Sequence, residues 1–232
     1  MTTAHPHTRN TLLQRVQRLT LPARRSGIAL LLCLLGAPAL AGSEPIGATG
    51  LAASSAQARL SSWNNLLEHG STLDEEGKLT AANQLINSSV SYVSDQQAWG
   101  TEEYWATPSE TLSSGQGDCE DFAIAKYFSL VKMGIPAERL RLTYVKARDS
   151  AHMVLAYYKS PEDQPLILDN MISAILPAAE RKDLLPVYAF NAEGIYLAKA
   201  PGKKITHSPK LLSRWDELTA RIHNTENSQP LL

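Results

Sequence analysis

GQGDCEDFAIAKYFSL, residues Gly115 to Leu130, leads two glycines into an acidic cluster around one cysteine and then into an unbroken apolar run. Gly115 and Gly117 mark a loop, and the run after it predicts a helix over Cys119–Met133. Phe122, Ala123, Ile124, Ala125, Tyr127, Phe128, Leu130 and Val131 cover nearly its whole circumference, so this helix belongs between layers rather than on a surface. Gly134 supplies its C-terminal cap and Pro136 prevents continuation. Cys119 falls at the first turn. Orphan backbone amides point there, and the positive end of the helix dipole favours a thiolate.

Downstream the pattern changes to strands. LRLTYVKA (Leu140–Ala147) alternates polar and apolar residues, HMVLAYY (His152–Tyr158) follows a turn, and Leu166–Leu168 closes on Asp169-Asn170. Pro186–Phe190 and Ile195–Lys199 flank Asn191-Ala192-Glu193-Gly194, a hairpin signal. Upstream, Ala56–His69 and Leu79–Val93 repeat apolar residues at the helical period, with Thr80 a modest cap for the second. Trp99 and Trp105 lie in irregular chain ending at Pro108 and either plug the core or line a cleft. Leu211–Ile222 has a weak helical period. The sum is an α+β arrangement, a central helix packed on an antiparallel sheet with helices before it.

Cys119, His152 and Asp169 then form a candidate acyl-transfer triad. The cysteine is the nucleophile, the histidine the base at the mouth of one strand, and the aspartate the orienter at the end of the next. A backbone amide near Cys119, helped by Gln116 or Trp105, would serve the oxyanion. Each residue also has a plainer reading: a buried core cysteine, a strand-start histidine, a turn aspartate. His69, His207 and His223 have surface-like surroundings and no assigned task.

Composition bounds these readings. The 232 residues are 44% hydrophobic and 19% charged, with 22 Lys and Arg against 23 Asp and Glu. This balance gives no basic surface for nucleic acid. Arg15, Arg18, Arg24 and Arg25 precede the apolar run Ile28–Leu35 and an Ala39-Leu40-Ala41 ending, the form of a secretory signal peptide over residues 1–41. The apolar core is short and proline-interrupted for a membrane span, although a retained anchor is the alternative. Cleavage there removes Cys33 and leaves Cys119 alone in an oxidising compartment, where a lone thiol is buried or used. A flexible start over 42–55, one domain over 56–223 and a frayed tail over 224–232 complete the organisation.

Asp118, Glu120 and Asp121 oppose a thiolate, because like charges raise its pKa. Either they turn away and pair with a base such as Lys126, or they hold a hard cation. Calcium suits an exported, oxygen-rich site. Zinc does not, since one cysteine and one histidine make a poor ligand set.

Trp105-Ala106-Thr107-Pro108, Glu110, GQGDCEDFAIAKYFSL, Gly134, LRLTYVKA, AHMVLAY and LDN together resemble the bacterial transglutaminase-like cysteine proteinase family, over about Leu60 to Lys199. The GDCEDFAIAKY block is the specific part. The resemblance implies a papain-like/transglutaminase-like core with Cys119, His152 and Asp169 as triad. It implies a periplasmic endopeptidase dependent on Ca2+, with Asp118, Glu120 and Asp121 at calcium-linked positions. It also implies a substrate, a large surface adhesin cut near its N-terminus after two alanines so that cells leave a biofilm. An inhibitory partner is implied as well, an inner-membrane cyclic-di-GMP receptor of the LapD-like kind. Amide transfer on the same triad, or a non-catalytic periplasmic binding protein, are the alternatives.

Overall fold

A helix with no polar face needs cover on both sides, and the computed structural model shows how the chain provides it. The structure describes residues 48–148, 150–197, 200–205 and 209–228; the expected signal segment 1–41 lies outside the described residues. The apolar run forms α5 (Cys119–Lys132). On one side Ala123, Ile124, Tyr127 and Leu130 pack against Leu140, Leu142, Met153 and Leu155, from β3 (Leu140–Ala147) and β4 (Ser150–Tyr157). On the other, Phe122 and Ala125 pack with Trp63 of α1 (Ala48–Gly70), Ile86 of α2 (Glu75–Ser89) and Leu112 of α4 (Pro108–Ser114). The Trp63 indole also donates to Ser129 Oγ at 2.8 Å, so both of these buried polar atoms are satisfied.

The sheet is antiparallel throughout. Its seven strands run in the order β6 (Leu176–Pro177), β5 (Leu166–Leu168), β4, β3, β7 (Leu184–Asn191), β8 (Gly194–Leu197), β9 (Ala200–Ile205). Alternation sends Leu140 and Leu142 toward α5 and Val145 to the opposite face, where Val154, Ala156, Tyr158 and Ile167 join it. The sheet thus separates two apolar layers. α6 (Pro209–Ser228) adds Trp215 and Leu218 to the larger one, with the Trp215 ring against Tyr127, Phe128 and Phe190. Among the described residues no helix is long and apolar enough to cross a membrane.

The α+β arrangement expected from the sequence is the one observed, with several differences of extent. α1 begins at Ala48, inside the expected flexible start, and α6 continues to Ser228, into the expected tail. α2 starts at Glu75 rather than Leu79, because Asp74 and not Thr80 caps it; the Asp74 carboxylate accepts from Gly77 N–H at 2.8 Å. Pro108 opens a helix instead of ending an irregular segment. Thr107 and Glu110 form a capping box around it, with the proline in the first turn. Trp105 is a core residue, stacked on Phe190 at 5.5 Å between centroids.

Candidate active site

Position 119 is fixed before any chemistry is considered. α4 ends at Gly115, whose φ of 67° is a left-handed conformation that glycine adopts without strain. The chain then pairs β2 (Gln116–Gly117) in parallel with β1 (Ser91–Tyr92). Ser91 N–H donates to Gly115 O and Val93 N–H to Gly117 O, each at 2.9 Å. Asp121 is tucked beneath the first turn of α5. Its carboxylate accepts from Asp118 N–H at 3.2 Å and from Ala106 N–H at 2.8 Å. A Cβ on Gly117 would lie 2.7 Å from Asp121 Oδ2 and 2.8 Å from Asp121 Cβ, so only glycine lets the loop pass this close.

α5 packs on β4, and the Met153 backbone N–H points at the Cys119 sulfur. Its neighbour His152 is buried at the start of the inner stretch of β4. β4 pairs with β5 in a register that sets Leu155 opposite Leu168, which leaves Asp169 just past the strand end. His152 Nε2 and Asp169 Oδ1 are 2.8 Å apart, with Asp169 only 1% exposed. Burial by itself raises the Asp169 pKa. Hydrogen bonds from His152, Met171 N–H and Arg181 outweigh it and hold the carboxyl down at about 2. The carboxylate is therefore ionised and accepts from Nε2–H, which leaves Nδ1 as the basic nitrogen of the neutral ring.

The thiol has a second neighbour. Cys119 Sγ donates to Glu120 Oε2 at 2.9 Å. Burial, then the charges of Glu120 and Asp118, push the thiol pKa far above its ordinary value. One oxygen from each of Asp95, Asp118 and Asp121 lies within 4.8 Å of the others, and Asp118, Cys119 and Glu120 form a second such group. Burial and mutual repulsion raise Asp95 to about 6 and Asp121 to about 7, and drive Asp118 up as well. Among the described residues none of these carboxylates has a cationic partner in a salt bridge. Asp95 Oδ1 and Asp118 Oδ1 are buried with no hydrogen-bond partner. Orphaned, crowded carboxylate oxygens are the donor set of a hard divalent cation.

Lys126 does not serve this cluster, contrary to one of the two expectations. It is 1% exposed, burial lowers its pKa to about 7, and the charge it responds to is that of Asp169. Asp95 and Arg181 were not singled out from the sequence. Asp95 opens the short helix α3 (Asp95–Ala98), far upstream of the cysteine, and reaches it only through the β1–β2 pairing. Of the two side chains considered for the oxyanion, Gln116 is exposed, while the Trp105 indole N–H is buried without a partner.

Residues 42–182 match the model of the bacterial transglutaminase-like cysteine proteinases, BTLCP. The chain belongs to this family. The proteinase is also similar to solved structures of LapG from Legionella pneumophila. The calcium-bound LapG structure has a TM-score of 0.66 at 40% identity, over 75% of this chain and 96% of that one. An EGTA-treated LapG structure gives 0.65 at 41% identity, over 74% and 93%. No curated protein matches. As a cysteine proteinase the chain has its active-site thiol beside the acidic cluster, since Cys119 is the sole cysteine among the described residues.

Proposed function

We propose that this proteinase is a calcium-dependent periplasmic endopeptidase that cuts a large surface adhesin near its N-terminus at a di-alanine site and so releases cells from a biofilm. The observation that carries the reading is the buried Asp169–His152 pair, with His152 next to Met153, whose N–H points at the Cys119 sulfur. The likeness to LapG supports the adhesin, the periplasm and calcium.

In this reading His152 Nδ1 takes the Cys119 proton as sulfur attacks the scissile carbonyl, and Asp169 holds the ring through Nε2. The same nitrogen delivers the proton to the departing amine. It then deprotonates the water that hydrolyses the thioester. Backbone N–H groups at the first turn of α5 face the developing oxyanion. Asp95, Asp118 and Asp121, with Glu120 beside them, would hold the calcium ion, which supplies positive charge against the carboxylate field that suppresses the thiolate. Burial, together with Glu120 and Asp118, otherwise keeps the thiol protonated.

Digestion of the N-terminal region of the adhesin from the same cell tests the proposal. One cut is expected, absent from Cys119→Ala and from calcium-stripped protein and restored by added calcium. Amine incorporation with ammonia release and no cut would replace hydrolysis by amide transfer. An inner-membrane cyclic-di-GMP receptor is proposed as the inhibitory partner. Its periplasmic domain should co-elute with the proteinase and block the cut, and independent elution with full activity would remove it.

A further inference from the structure

Asp169 spends both of its carboxylate oxygens. Oδ1 meets His152 and also accepts from Met171 N–H at 3.0 Å; Oδ2 accepts from Arg181 Nη2 at 2.7 Å. This ion pair is buried, with side-chain exposures of 2% for Arg181 and 0% for Asp169. Arg181 is itself gripped from the far side. Asp183 takes Nε at 3.0 Å and Nη2 at 2.8 Å, a two-point contact with the guanidinium fork. Arg181 Nη1 has no hydrogen-bond partner, so the fork is spent on these two aspartates. Lys126 of α5, buried in the core and with its pKa lowered to about 7 by that burial, interacts electrostatically with the same carboxylate. A carboxylate tied only through Oδ1 is free to rotate about its terminal torsion, which would carry that oxygen off the ring.

We propose that Arg181 is a positioning residue that fixes the plane of Asp169 so that Oδ1 stays on His152, and that Asp183 holds Arg181 in place to do so. A lysine does this poorly, because an ammonium is a point charge and sets no plane. The line Asp183–Arg181–Asp169–His152 carries alignment inward from a half-exposed residue to the buried His152 ring. The catalytic meaning of that alignment rests on the triad reading above; the alignment itself does not.

The test therefore uses one readout that needs no substrate. In nitrogen-15 histidine-labelled full-length protein, the His152 Nε2–H proton bound to Asp169 should give a low-field resonance, assigned by its loss in Asp169→Asn. Arg181→Met should abolish or broaden that signal in a protein with unchanged circular dichroism, and Arg181→Lys should restore it in part. In adhesin cleavage Arg181→Met should lower kcat about tenfold or more with KM within about twofold, the split expected of lost alignment rather than lost binding. Asp183→Ala covers the case in which Arg181→Met does not fold. It should speed solvent exchange of the same proton and lower kcat about threefold. An unchanged resonance in folded Arg181→Met, or in Asp183→Ala where the former is unfolded, overturns the proposal. Should the unsubstituted protein cut nothing, the resonance alone still decides the positioning claim, and only the protease reading falls.

Discussion

At the scale of single residues the site is a contest between two fields on one sulfur. Burial, with Glu120 and Asp118, holds the thiol protonated, while in the proposed mechanism the His152–Asp169 pair removes that proton. Asp169→Asn should lower kcat about a thousandfold, as expected when the orienting carboxylate is lost. It should also cost about 2 kcal/mol of stability, because Arg181 loses its buried partner and keeps only the half-exposed Asp183. Activity near that of the unsubstituted protein would place the orienting role elsewhere. Asp95→Asn should weaken calcium binding by removing a charged ligand, yet raise the melting temperature of metal-stripped protein by a few degrees, about 1 kcal/mol of relieved repulsion. Calorimetry and thermal melts check the two signs together; a fall in both quantities would make Asp95 an ordinary structural residue.

Elements explain why these residues meet. α2 reaches the far side of the site, since Asn87 Nδ2 donates to Asp169 O at 2.8 Å and Asn83 Nδ2 to Ser173 O at 2.9 Å. Asn87→Ala should cost about 1 kcal/mol and loosen the segment after β5, seen as faster amide exchange at residues 169–173; unchanged exchange would leave α2 without a role there. The central helix was legible from its unbroken apolar run, β3 from its alternation, and β4 and β5 from short apolar runs bounded by turns. α4 was not, since PSETLSS is too short and polar to show a period, and its start depends on a capping box. β9, APGKKI, hides behind a proline and a glycine, which weaken any strand signal. Of the site, Cys119, His152 and Asp169 could be read from their places beside strong elements. Asp95 and Arg181 could not. Each lies in or beside a single short turn, and only long-range pairing brings it to the others.

For the whole molecule, two sets of carboxylates oppose each other as pH changes. Asp169, held at about 2 against an ordinary 3.8, contributes stability that is present above about 4 and is lost as pH falls toward 2. Glu75 adds to this. Hydrogen bonds from Arg139 and Tyr157 keep it at about 2, across the junction of α2 and the sheet. Asp95 and Asp121 act in the other direction. Raised to about 6 and about 7, they bind more protons folded than unfolded, so stability declines as pH rises from about 4 through 7. Metal-stripped protein should accordingly be most stable near pH 4 to 5, and calcium loading should move the optimum toward neutrality. Melts at matched pH after dialysis against metal-free buffer check this. Parallel profiles with and without calcium would show that no cation sits among these carboxylates.

The short contact between Cys119 Sγ–H and Glu120 also bears on how long the protein lasts. Oxidants attack the thiolate far faster than the thiol. A cysteine kept in its protonated form is chemically quiet, so metal-stripped protein should keep the Cys119 sulfur intact. In the proposed calcium-dependent mechanism, loading converts a durable stored form into a reactive one, and exposure to peroxide should inactivate the loaded protein first.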